Sequence, residues 1–246
     1  MVKRDELIRY LNDYLQINEI SDYGPQGLQV EGKADVGKIV TGVSASVQLF
    51  SEAARDSADM IIVHHGLLWD RDSHVVKGWF KSRLATLLQN DITLLAYHLP
   101  LDKHPEVGNN AVAAKKLQLE EVKEFGQVGI QGLVPELSFE HLLSSVQKVF
   151  KSDPIVFAYG PKVIKHVAIC SGGAQKDITL AIDEGMDAYI TGEVSESTMH
   201  LAKEGNIHFI AAGHYATERL GIQALGDHIA NHFDVEVQFI DIPNPV

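Results

Sequence analysis

Cysteine is almost absent. Among 246 residues only Cys170 carries a thiol, so no internal disulfide can form and a reducing compartment is the expected setting. Long hydrophobic runs are also missing. No stretch approaches the roughly 18 uncharged apolar residues that a membrane crossing needs, and Met1–Gln16 is charged throughout, unlike a secretion signal. Basic residues are outnumbered 21 to 33, for a net charge of −12, and Lys and Arg never cluster beyond a pair. A duplex-binding face must neutralise phosphates with such clusters, which argues against nucleic acid as the main partner but leaves a small phosphorylated ligand open. Proline is sparse at eight residues and no tract is of low complexity, so little disorder is expected. With 45% apolar and 22% charged residues, the chain is composed like a soluble globular protein whose expected address is the cytoplasm.

Against these absences stands a repeated order of elements. Leu7, Ile8, Leu11 and Leu15 recur at helical spacing over residues 3–16, and Ser21–Leu28 is dense in turn formers. Lys38–Val43, Asp59–Val63 and Ile92–Ala96 read as strands, with helices over Val47–Asp56 and near 79–89. These strands are continuous apolar runs, as expected of parallel strands covered on both faces. The second half repeats the order: strands over Val163–Ile169, Asp187–Ile190 and Ile207–Ala211, and helices over Asp177–Glu184 and Ser197–Lys203. Ala53–Val63 can be laid over Ala181–Thr191, and Leu94–His98 over Phe209–His214 with a one-residue slip. That pattern predicts an α/β protein of two similar lobes, an internal duplication, with mixed, mostly parallel sheets. The lobes are expected over residues 1–125 and 126–246. Glu121–Leu133 has strand character, and Pro135–Phe150 reads as a short helix.

Histidine is abundant, at twelve residues. His64 and His65 stand where a buried strand ends, the position at which open α/β sheets bind ligands. Adjacent side chains leave a strand in opposite directions, so such a pair suits two neighbouring ions better than one; polar capping of the strand end is the plainer reading. His98-Leu99-Pro100-Leu101-Asp102 and His214-Tyr215-Ala216-Thr217-Glu218 each begin at a strand end and place a carboxylate four residues on. Pro100 predicts a loop around Asp102, whereas a helix would put His214 and Glu218 on one face. Imidazole with carboxylate suits zinc, iron, manganese or nickel rather than calcium or magnesium. Five ligands exceed the four of a structural zinc site but would serve two ions and leave positions open to water. The expected metal ligands are therefore His64, His65, Asp102, His214 and Glu218. His98 is read as facing substrate or supporting the ligands.

Glu193, in Thr191-Gly192-Glu193-Val194-Ser195-Glu196, is either an acid/base or orienting group near the metals, or part of a helix start capped by Ser195. Ser171-Gly172-Gly173-Ala174 reads as a plain turn, since it lacks the lysine of a phosphate loop, and Cys170 as structural. His228 and His232 share helical spacing but lie mid-helix, away from any strand end, and are not expected to bind metal. His74, His104, His141, His166 and His208 are expected at the surface or internally satisfied.

Taken together, Ser21–Val30, Val63–Gly66, His98–Asp102, Gly108-Asn109-Asn110, Thr191–Glu196, Gly213–Glu218 and Asp241–Pro245 resemble the NIF-three-like family, also labelled GTP cyclohydrolase I type 2 homologs, in its short bacterial form. The resemblance spans essentially the whole chain. It implies two α/β lobes with a dinuclear site in the cleft between them, the same five ligands, and toroidal homohexamers; the long insertion of other members is missing. Two functions follow as expectations. One is a metal-dependent hydrolase of a nucleotide or small phosphorylated substrate, with Glu193 or His98 moving protons. The other is a non-catalytic metal-handling or adaptor protein that forms a ring.

Overall fold

A computed structural model describes residues 1–73 and 75–246; His74 lies outside the described residues. The chain divides into two compact units, Met1–Val107 with Ile222–Ile242, and Gly108–Gly221 with Pro243–Val246.

The first unit is built on a five-stranded sheet, in the order Glu236–Phe239, Lys38–Ser44, Met60–His65, Thr93–Ala96, Gly27–Val30. The first four run parallel, and Gly27–Val30 is antiparallel to its neighbour. Met60–Val63 and Thr93–Ala96 are buried throughout, as the continuous apolar runs predict. Val40, Ile61 and Leu94 pack with Leu49, Phe50 and Ala53 of the helix Val47–Arg55. That helix starts cleanly because the Ser46 hydroxyl accepts from the Leu49 amide at 3.2 Å.

The second unit carries a six-stranded sheet in the order Glu120–Phe125, Gly129–Leu137, Ile164–Cys170, Ala188–Thr191, His208–Ala211, Ile155–Ala158. Its central pairings are parallel and its outer ones antiparallel. Both sheets thus hold three parallel strands in chain order, each set followed by an antiparallel strand on the far side. Among the described residues, no helix is long and apolar enough to cross a membrane.

Three local expectations change. Leu99–Lys103 is a short helix, not a loop, because Pro100 falls in its first turn, where the missing N–H has no partner to lose. Pro135 lies in the strand Gly129–Leu137 and not in a helix; the pairing with Ile164–Cys170 shifts register there and Glu120 has already ended the other ladder, so no bond is forfeited. The helix begins only at Phe139, capped by Ser138. The units also differ from the expected division after residue 125. Glu120–Phe125 takes its backbone partners from Gly129–Leu137, Ala113 and Ala114 pack in the second core, and Glu236–Phe239 returns to the first sheet.

His228 and His232 sit in an aromatic cluster of the first unit. The Tyr14 ring stacks on His228 at 4.1 Å, and the Tyr10 hydroxyl meets His228 Nε2 at 2.8 Å. His232 lies 4.9 Å from the Tyr10 ring. Burial, then the neighbouring His232, hold the His228 pKa below its ordinary value, against a smaller opposing pull from Glu106. The unfolded chain therefore binds this proton more readily. The contribution is complete above the ordinary histidine pKa of about 6.5 and is lost as pH falls through the folded value. We predict that thermal melting between pH 7 and 5 falls more steeply for the wild type than for His228→Phe, which keeps the stacking but cannot titrate.

Candidate metal centre

In the first unit, the strand Met60–His65 delivers His64 and His65 to its carboxyl end, and the next strand leads through Tyr97 to His98. One donor atom from each of His64, His65 and His98 lies within 4.8 Å of the other two. Asp102 joins them from the short helix: its Oδ2 is 3.4 Å from His64 Nε2, and both side chains are buried. Pro100 and the first turn of Leu99–Lys103 bring the carboxylate back toward the strand ends.

Each ring is held from behind. His64 Nδ1 meets the Tyr97 carbonyl at 2.9 Å, and His65 Nδ1 the Ser44 hydroxyl at 3.0 Å. His98 Nδ1 meets Asp22 Oδ1 at 2.8 Å. A carbonyl and an ionised carboxylate can only accept, so Nδ1 carries the hydrogen in His64 and His98 and leaves the Nε2 lone pair for a cation or a proton.

In the second unit, His208–Ala211 ends at Ala212-Gly213, and the helix His214–His232 starts at once. His214 and Glu218 lie one turn apart, with Nε2 and Oε2 at 3.1 Å, as the spacing predicts. Again the back of the ring is occupied: His214 Nδ1 donates to Glu193 Oε1 at 2.7 Å. Burial alone would weaken the hold of His214 on its proton, but Glu218 and then Glu193 outweigh it and raise the group to about 9. Carboxylates that hold a proton on this ring would also favour a cation in its place. Glu193 thus stands behind the His214 ring, and Gln175 Nε2 donates to its other oxygen at 3.3 Å.

The first two amides of the Ser171–Ala174 turn are spent internally. Ser171 N donates to Asn110 Oδ1 at 2.8 Å and Gly172 N to Thr217 Oγ1 at 3.0 Å, so these two amides are not turned to a phosphate. Gly172 has φ +68°, and a Cβ there would collide with Glu218 Oε1. Gly192 allows a second close approach, since its Cβ would lie 2.6 Å from the His214 Cα. Asn109 Oδ1 accepts from Gly221 N at 2.6 Å, which gives the Gly108–Asn110 motif a structural role. The helix after Glu193 starts at Thr198 with Ser197 at its cap, so Ser195 is not the cap; it bonds Thr198 Oγ1 instead.

Other histidines fall where expected. His104 and His208 are buried and bonded, through Nε2, to the carbonyls of Tyr14 and Pro161. His141 and His166 are exposed. The supports were not foreseen. Ser44 gave no signal, Tyr97 acts through its backbone, and Asp22 stood in a segment read as a turn and as part of the family resemblance, with no role assigned to it.

Imidazoles and carboxylates that could hold a metal stand at the strand ends of an α/β protein, and the comparisons name the family. The model of the Duf34/NIF3 (NGG1p interacting factor 3) family matches residues 2–245, and the chain belongs to that family. It is 48% identical over 246 residues to the "GTP cyclohydrolase 1 type 2 homolog" of Pasteurella multocida, covering 98% of both chains. Against the protein of the same name from Escherichia coli K12 it is 49% identical over 251 residues, covering 99% of this chain and 100% of the other. Among solved structures it resembles "protein ybgI, unknown function", with a TM-score of 0.96, 47% identity and full coverage of both chains. It also resembles TTHA1606 from Thermus thermophilus, with a TM-score of 0.93, 36% identity and full coverage.

Gly185 provides a control for Gly172, because it too has positive φ (+73°) but a Cβ there would meet nothing within 4 Å. We predict that Gly185→Ala costs about 1 kcal/mol in urea denaturation, the backbone term alone. Gly172→Ala should cost distinctly more, because Glu218 must also move.

Proposed function

We propose that His64, His65, Asp102, His214 and Glu218 hold two divalent cations, and that the chain is a metal-dependent hydrolase of a nucleotide or other small phosphorylated compound. The observation that carries this reading is the shared posture of the histidines. His64, His65 and His214 each have Nδ1 engaged by a partner within 3.0 Å, as histidines prepared for a metal do. Buried carboxylates, Asp102 and Glu218, accompany them in the two units. The names of the relatives, homologs of a GTP cyclohydrolase, point to nucleotide hydrolysis.

The donor chemistry fits zinc, iron, manganese or nickel. Such a pair of ions would supply Lewis acidity and a water acidified to near neutral pH. The chain's own residues do the rest. Glu193 keeps the His214 ring turned with Nε2 toward Glu218, and the Tyr97 carbonyl keeps the His64 ring turned with Nε2 toward Asp102. His98, whose ring centroid is 5.0 Å from that of His64 and 5.4 Å from that of His65, is the proton carrier of the reading. The family resemblance adds a homohexameric ring, and the lone buried thiol suits the cytoplasm.

Elemental analysis of the purified protein should give two ions per chain, and the metal-loaded protein should turn over GTP or a related nucleotide. The double variant His65→Ala, Glu218→Ala should lose both metal and turnover. Unchanged activity in that variant would sink the hydrolase reading. Two retained ions with no turnover across nucleotide substrates would instead support a metal-handling ring. Light scattering at six times the 27.1 kDa chain mass checks the assembly.

A further inference from the structure

The segment Ser21–Val30 matches the family but supplies none of the proposed ligands. Its side chains grip the two stretches that carry the histidines of the first unit. Gln29 Oε1 accepts from the Leu67 amide at 2.6 Å and the Leu68 amide at 3.2 Å, just beyond His64-His65. Gln26 Oε1 accepts from the His98 amide at 2.7 Å. Asp22 does the most: Oδ2 accepts from Leu99 N at 2.8 Å, while Oδ1 accepts from Tyr23 N at 2.6 Å and from His98 Nδ1 at 2.8 Å. The Asp22 side chain is only 2% exposed. Burial favours its neutral form, but the bonds from His98 and the backbone amides outweigh that and keep the carboxylate ionised.

We infer that Asp22 is the positioning residue of His98: it locks the ring in the tautomer with hydrogen on Nδ1 and thereby makes Nε2 the acceptor atom beside His64 and His65. The inference rests on the proposed role of His98, though the lock itself does not depend on what the centre does. The geometry leaves the ring little choice. Its amide is pinned by Gln26, its face meets Trp69 edge-on at 5.1 Å between centroids, and its Nδ1 faces an oxygen that already takes a backbone hydrogen. An isolated imidazole would exchange between tautomers; an ionised acceptor at Nδ1 selects one. The arrangement is that of a carboxylate–histidine pair, in which the carboxylate orients the ring and raises the basicity of the far nitrogen without taking the proton itself.

The test is solid-state nitrogen-15 spectroscopy of histidine-labelled, zinc-loaded protein, with His98→Gln used to assign the His98 signals. In the wild type, His98 should show a protonated, pyrrole-type Nδ1. Asp22→Ala removes the acceptor and should shift protonation to Nε2 in all or part of the population, whereas Asp22→Asn keeps an acceptor oxygen and should restore the wild-type signal at least in part. Where nucleotide turnover is measured, Asp22→Ala should lower kcat about tenfold to a hundredfold, with less effect on KM. Zinc stoichiometry should stay at its wild-type value. A wild-type His98 protonated at Nε2, or a tautomer unchanged in Asp22→Ala, overturns the inference. Absence of bound zinc would overturn the dinuclear reading and leave the tautomer result to be judged on its own. Melting curves of both Asp22 variants identify any loss that comes from unfolding.

Discussion

A neutral imidazole always offers one bare nitrogen, but a partner at the other decides which one it is and where it points, and much of the local architecture supplies such partners. The ring must be turned and its hydrogen held on the far side. Here the holder is a backbone carbonyl for His64, a hydroxyl for His65, and a carboxylate for His98 and His214. Each lies at or near the end of a strand, where the backbone is rigid and fully bonded. The parallel sheets matter because they bring several strand ends to one edge, so that short connections can be devoted to ligands and their supports.

The two units solve the problem with different local means. In the first, two histidines come directly from a strand end and the carboxylate from a short helix with Pro100 in its first turn. In the second, His214 and Glu218 come from the first two turns of a long helix, and the space for Glu218 exists because Gly172 has no side chain. The acidic partners give His214 an unusually strong hold on a proton. Carboxylates that hold a proton on this ring would also favour a cation in its place.

Glu193 illustrates what fold context adds to a motif. A carboxylate after a strand end can move protons, orient a neighbour or begin a helix. Its Oε1 lies against His214 Nδ1, the contact that an orienting group makes. Asp22 performs the matching task on His98. The pair gives both units a carboxylate behind a histidine, arising from unrelated stretches of chain.

What could be read directly from the chain was what depends on neighbours along it. Continuous apolar runs marked the buried parallel strands, because both of their faces must leave water. The i,i+4 spacing of His214 and Glu218 marked a shared helix face, because 3.6 residues make a turn. His64-His65 and His98-x3-Asp102 stood out by their places at strand ends. Contacts between distant segments left no such trace. Nothing near Asp22 announces that it meets a ring 76 residues away, or that Glu236–Phe239 returns to lie beside Lys38–Thr41. Those pairings are decided by packing and by the need of each buried polar group for a partner, and that need is settled only when the tertiary structure has formed.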